Sequence, residues 1–341
     1  MVPAFFSKAM ILFNCDYSEG AHADILRRMA ETNMEQTAGY GEDPYCDQAR
    51  KLIAGLCGRT DLDIHFLIGG TQTNFTVIAA ALRPHQCVLC ADTGHIKVSA
   101  IPSPDGKLTA RQIEEAWHAH WDDETREHMP QPRMVYISQP TELGTIYSRK
   151  ELQEISGVCR RRGLYLYMDG ARLGYGLCDE DNDLDLPAIA SLCDAFYIGG
   201  TKVGALFGEA LVLRHEALKE DFRYIAKQKG GRLAKGRLLG IQFLELFRDG
   251  LYFRLGAHAD RLAVMLRDFC RSRGLSLPFS SGTNQQFVTM PDSVLEELGR
   301  KYGFAYLRRE DETHSTVRFC TSWATREEDV RELMADIARL C

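Results

Sequence analysis

Apolar positions along the chain follow two rhythms. Between residues 60 and 215, short apolar-rich runs at 63–68, 87–90, 134–138, 164–168, 195–198 and 209–213 alternate with longer stretches in which apolar residues return every three or four positions. The short runs predict buried strands and the longer stretches predict amphipathic helices, at 21–34, 45–57, 70–82, 108–121 and 148–162. Thr109 is placed to cap the fourth of these helices, and Ser148 with Glu151 has the spacing of a capping box for the fifth. Strand–helix alternation predicts an α/β fold, a mostly parallel sheet covered by helices, because a parallel neighbour is reached only through a crossover. A long helical pattern then covers 238–270. Beyond Gly274 the rhythm becomes strand (285–290), helix (293–302), two strands (304–308, 315–320) and helix (327–340), a compact α+β unit. The expected organisation is an N-terminal arm over residues 1–20, a large α/β domain over 21–250 and a smaller C-terminal α+β domain over 251–341.

Composition narrows the class. The 341 residues suffice for two domains, and 45% apolar with 26% charged residues argues for an ordinary globular protein. A net charge of −6 leaves no basic footprint for nucleic acid or an anionic membrane. The apolar N-terminus is interrupted by Lys8 and reads as an ordered arm rather than a signal peptide. No run approaches the ~20 apolar residues of a membrane span. Eleven cysteines, an odd number scattered along the chain, read as reduced thiols and give the expectation of a cytoplasmic protein. Cys87 and Cys90 have the spacing of half a metal site, but they fall inside a strand pattern and read as core thiols. No metal is expected.

Candidate chemistry gathers where the strands end. The run at 164–168 leads into Asp169-Gly170-Ala171-Arg172, and the run at 195–198 leads into Gly199-Gly200-Thr201-Lys202. A carboxylate and a lysine thus each leave the carboxyl end of a strand, the edge at which open α/β sheets bind ligands. A pyridoxal phosphate enzyme needs that pair: the lysine forms a Schiff base with the cofactor, and the carboxylate keeps its pyridine nitrogen protonated. Gly69-Gly70-Thr71-Gln72-Thr73-Asn74 joins a strand to a helix start, where glycines admit close approach and free N–H groups suit a phosphate. A simple capped turn would read the same way. His95, in the loop after 87–90, could lie flat on an aromatic ring or merely be solvated.

Together these pieces resemble the low-specificity L-threonine aldolases, of the β-eliminating lyase group of fold-type-I pyridoxal phosphate enzymes. The resemblance rests on Gly41-Glu42-Asp43-Pro44, Gly70-Thr71 with Asn74, Ala91-Asp92 with His95-Ile96, Met168-Asp169-Gly170-Ala171-Arg172, Lys202, Thr283-Asn284 and Arg318, in family order over nearly the whole chain. It implies an aspartate-aminotransferase-like fold. It also implies cleavage of the Cα–Cβ bond of L-threonine or L-allo-threonine to glycine and acetaldehyde. By the same resemblance Lys202 is the Schiff-base lysine, Asp169 the partner of the pyridine nitrogen, and His95 stacks on the ring. Gly70 and Thr71 hold the phosphate. Arg172 lies near the cofactor's phenolic oxygen and the substrate, and Ser18 and Arg318 bind the substrate carboxylate. His128 is the candidate base or orienter at the β-hydroxyl. Lys235, in a basic glycine-rich loop, would reach the cofactor phosphate of a neighbouring subunit in a homodimer or homotetramer. The chain departs from the family pattern at Thr201, where serine is usual, at Gly94, at Tyr17-Ser18-Glu19, and at Gln139-Pro140-Thr141-Glu142, which replaces Glu-Asn-Thr-His. The last two face the substrate side. The alternatives are another β-eliminating lyase, a racemase or an aminotransferase on the same scaffold, and more remotely a non-catalytic binding module of that fold.

Overall fold

The computed structural model describes residues 10–96 and 99–341; the first nine residues of the expected arm lie outside the described residues. In chain order the strands are β1 (Ile11–Leu12), β2 (Asp63–Leu67), β3 (Gln86–Ala91), β4 (Ser99–Ile101), β5 (Gln131–Ser138), β6 (Tyr165–Asp169), β7 (Ala195–Gly199), β8 (Glu209–Leu213), β9 (Gln285–Pro291), β10 (Tyr302–Gly303), β11 (Ala305–Arg309) and β12 (His314–Cys320). Seven of them form one sheet in the order β2-β8-β7-β6-β5-β3-β4. The pairs from β7 through β4 are parallel. Only β8 is reversed, pairing antiparallel with both β7 and β2. β6, β7 and β8 are buried at every position. That is why they read as continuous apolar runs: helices cover both faces of a parallel sheet, so neither face can be polar.

Capping chemistry sets the helix boundaries. Thr109 Oγ1 accepts from the Gln112 backbone, and Ser148 accepts from Glu151, each completing a reciprocal capping box. The expected helix over 238–270 is two helices, Arg237–Arg248 and Leu251–Ser272. Asp249-Gly250 breaks it, with Gly250 at φ 68°, a left-handed conformation that glycine adopts without strain. The interruption is too short to disturb the apolar period, so the pattern alone does not reveal it. The second helix serves two cores. Leu251, Tyr252, Leu255 and Ala259 pack with the large sheet's core, whereas Leu262, Leu266 and Cys270 pack with the core of the C-terminal sheet β11-β12-β9. The N-terminal segment joins that second core: β1 pairs with β10, and Phe13 is fully buried there. Short elements without a clear period, such as β4 and the helix Leu186–Leu192, were not foreseen. Among the described residues no helix is long and apolar enough to cross a membrane.

Candidate active site

The carboxyl ends of β2, β3, β5, β6 and β7 and the amino end of β8 meet at one edge of the large sheet, because β8 alone is reversed. A cleft of about 430 Å³ opens there, within the range of small-molecule sites. Its lining includes Gly70 and Thr71 after β2, His95 after β3, Glu142 after β5, Asp169 and Arg172 of β6 and its turn, Lys202 after β7, and Glu209 of β8. Tyr17 of the N-terminal segment and Arg318 of β12 close it from outside the sheet.

Asp169 forms the floor. Its carboxylate accepts hydrogen bonds from Asn74 Nδ2 at 2.9 Å, from the Ala171 backbone N–H at 2.9 Å, and from the hydroxyls of Tyr136 and Tyr197. Asn74 is in turn fixed by Tyr167, whose hydroxyl donates to Asn74 Oδ1 at 2.8 Å. These tyrosines stand on adjacent strands, and burial followed by the Asp169 charge pushes all three phenols well above their ordinary value. They therefore act as donors, Tyr136 and Tyr197 to Asp169 and Tyr167 to Asn74.

Lys202 is half-buried at the end of β7, with its ammonium 5.9 Å from the centre of the Tyr17 ring. Burial and then the Arg172 charge lower its pKa, partly opposed by Asp16 and Asp169. A lysine so placed carries more neutral amine, the form that attacks an aldehyde. Beside it Glu209 accepts from the Gly200 N–H and Thr201 Oγ1, both at 2.9 Å. Burial pushes its carboxyl up to about 8. Thr201, the departure from the family pattern, is thus engaged with Glu209 and with the Gly208 N–H.

At the opposite corner the helix Gly70–Ala81 begins without a side-chain cap, leaving its first N–H groups for a ligand. A Cβ at Gly70 would meet Tyr197 Oη at 3.0 Å, a tight approach that glycine relieves. The outer wall is assembled from three parts of the chain. Arg172 donates to Asp16 through Nε (2.7 Å) and Nη2 (3.0 Å), and Asn284 Nδ2 donates to the same carboxylate at 2.9 Å. Burial works against the charge on Asp16, but Arg172 and Lys202 outweigh it and hold its carboxyl below the ordinary range. Arg318 donates to Gln285 Oε1 and to the Asn14 carbonyl, both at 2.9 Å. Its Nε is buried without a partner, and no carboxylate among the described residues pairs with it.

The structure brings Gly70, Thr71, His95, Asp169, Arg172, Lys202 and Arg318 to one cleft. It does not bring His128 there. His128 ends a 3-10 turn just before β5, at the amino edge of the sheet, and β5 spans eight residues, roughly 25 Å at ~3.3 Å per residue. Sequence separation concealed this, since a residue ten positions before a strand's end lies at its far end. Ser18 is exposed, 3.1 Å from Cys15 Sγ, beside Tyr17 but outside the lining. Lys235 is exposed on the loop before the helix Arg237–Arg248 and is also outside the cleft. The sequence pattern gave no role to Asp16, Tyr136, Tyr197 or Glu209, and it marked Glu142 only as part of a loop that departs from the family. Tyr136 and Tyr197 carried one usable signal, a polar-tipped aromatic near the end of a buried strand.

The beta-eliminating lyase family profile matches residues 15–293. A protein of Pseudomonas aeruginosa named low specificity L-threonine aldolase is 31% identical over 95% of this chain and 96% of its own length. A solved threonine aldolase of Leishmania major is 42% identical and superposes with a TM-score of 0.93, covering 97% of this chain and 99% of that one. A Thermus thermophilus aspartate aminotransferase double mutant, 14% identical, shares the fold at a TM-score of 0.68 over 97% of this chain and 92% of its own.

Proposed function

The chain belongs to the beta-eliminating lyase family, and we propose that it cleaves the Cα–Cβ bond of a β-hydroxy-α-amino acid, L-threonine or L-allo-threonine, to glycine and acetaldehyde. Pyridoxal phosphate is the cofactor of such enzymes, and the residues of the cleft fit it. The Asp169 carboxylate is fixed by four donors. A lysine of lowered pKa stands at the end of the neighbouring strand, and an uncapped helix start narrowed to glycine offers the phosphate site. When bound, this group supplies a sink for the electron pair released from Cα.

The chain's own residues divide the remaining work. Lys202 would hold the cofactor covalently and exchange protons at Cα. Asp169 would hold the pyridine proton, Gly70 and Thr71 the phosphate, and His95 one face of the ring. Arg318 is the cleft guanidinium that pairs with no carboxylate among the described residues, so it is the natural receptor for the substrate carboxylate, which its planar fork can match. Arg172, already neutralised by Asp16, lines the same side. Fixing the carboxylate orients the Cα–Cβ bond for cleavage.

The reading extends to assembly and location. A homodimer or homotetramer would place exposed Lys235 at a partner's cleft, and eleven free thiols suit a reducing compartment such as the cytoplasm.

The observation that carries the proposal is the meeting of Asp169, Lys202 and Arg318 in one cleft. The test is a product assay on the holoenzyme. Acetaldehyde from L-threonine is compared with pyruvate from L-serine or L-cysteine and with amino transfer to a keto acid. Acetaldehyde should dominate; pyruvate or a transferred amino group as the main product would overturn the reading.

A further inference from the structure

Cleavage of a β-hydroxy-α-amino acid requires the hydroxyl to lose its proton as the Cα–Cβ bond breaks. His128 lies at the wrong edge of the sheet for that task. Among the titratable groups lining the cleft, Asp169 is enclosed by donors, Tyr197 is bonded to Asp169, and Glu209 is tied to Gly200 and Thr201. Lys202 is the covalent anchor, His95 is assigned to the ring face, and Tyr17 is exposed with its ring beside the Lys202 ammonium.

Resting on the aldolase reading above, we propose that Glu142 is the catalytic base that accepts the β-hydroxyl proton. It stands in the turn after β5. Ser138 and Asp169 are register partners on β5 and β6, so this turn lies beside the strand end that carries Asp169 and Arg172. Ser138 Oγ donates to Glu142 Oε1 at 2.9 Å. The turn is itself fixed: the Thr141 N–H donates to the Thr145 carbonyl at 2.8 Å, and the Gly144 N–H to the Thr141 carbonyl at 3.0 Å. Gly144 adopts φ 77°, and a Cβ there would meet Ser281 Oγ at 2.5 Å. The carboxylate is therefore presented to the cleft by a rigid support rather than by a loose loop. Burial and then the Asp169 charge raise its pKa, which suits a group that must hold a proton and give it back.

The step balances. The Glu142 carboxylate takes the hydroxyl proton, and the O–H electron pair becomes the new C=O bond of the aldehyde. Pyridoxal phosphate, when bound, would supply the sink for the Cα–Cβ pair. A proton is then delivered to Cα to give glycine, so one proton is removed and one supplied.

The test separates cleavage from chemistry that lacks a β-hydroxyl. In holoenzyme carrying Glu142→Gln, acetaldehyde release from L-threonine should fall by at least about 100-fold, the lower range for loss of a general base. Exchange of the glycine α-hydrogen with deuterium, followed by NMR, should stay within about threefold of wild type, since it needs every other group in the cleft. Cofactor affinity, read from the visible absorbance of the bound cofactor, should not change. Formate added to Glu142→Ala should restore threonine cleavage with saturation. Cleavage within threefold of wild type in Glu142→Gln, glycine exchange lost in parallel, or no rescue by formate would overturn the proposal. Wild-type acetaldehyde release in the same assay tests the aldolase reading separately.

Discussion

Asp169 and Arg172 stand three residues apart in one turn, yet they are held by different parts of the molecule. Among the described residues the donors to Asp169 come from the large sheet, its first crossover helix and the turn after β6: Tyr136, Tyr197, Asn74 and Ala171. Arg172 is held by Asp16 of the N-terminal segment, which is shared with Asn284 at the entry to β9. Arg318 likewise rests on Asn14 and Gln285. The Asp169 side of the cleft is thus preformed within the large sheet. The Arg172 and Arg318 side, which the proposed function gives to the substrate, depends on how the N-terminal segment and the C-terminal sheet seat against it. Buried charges hydrogen-bonded from one rigid element lose no order when another element shifts, whereas a clamp across three segments does.

Substitutions separate the two sides of the cleft. Lys202→Ala should remove turnover by upwards of roughly 10⁴-fold, the scale for deleting a covalent catalytic group, with loss of the visible cofactor band. Retained turnover in a rate assay would detach the lysine from the chemistry.

Asp16→Ala should act on the other half. It leaves the Arg172 charge buried and unpaired, a change that costs about 3–5 kcal/mol in comparable buried pairs and is measurable by denaturant unfolding. The KM for threonine should rise while cofactor affinity stays close to wild type; an equal loss of both would erase the distinction between the two halves. The pH dependence has a defined sign. Asp16 has a lowered folded pKa, so its stabilisation is present above the ordinary carboxylate range and is lost as pH falls through the lowered value. Thermal unfolding of the variant should be flatter on the acid side.

Glu209→Gln should have a smaller effect of opposite sign. The folded pKa of Glu209 is raised to about 8, so the unfolded chain ionises first, and stability falls as pH rises from the ordinary carboxylate value toward about 8. The variant should lose that slope in Tm against pH. Last, His128→Ala should leave kcat/KM within about twofold, as for an exposed residue remote from the site.

Much of this was legible before the fold. The strands at 195–198 and 209–213 and the helix at 327–340 show their period because burial forces apolar residues onto a whole face. Asp169 and Lys202 stood out because each follows a buried apolar strand within a few residues, at the edge where open sheets bind ligands. Asp16 was hidden, since an acidic residue in a polar turn looks solvated, and only its placement against Arg172 and Asn284 makes it a clamp. His128 misled because distance along a chain does not tell which end of a strand a residue occupies.

By itself, then, the sequence determined the α/β class, the strand ends that carry chemistry and the lysine–carboxylate pair, because periodicity and charge at strand termini are local properties. The tertiary structure decided the remainder: the reversal of β8 that brings Glu209 to the cleft, the break at Gly250, the clamp at Asp16, and the placement of Glu142 in the cleft with His128 at the other edge of the sheet. Each depends on contacts between segments far apart in the chain, and a local pattern holds no information about which of them meet.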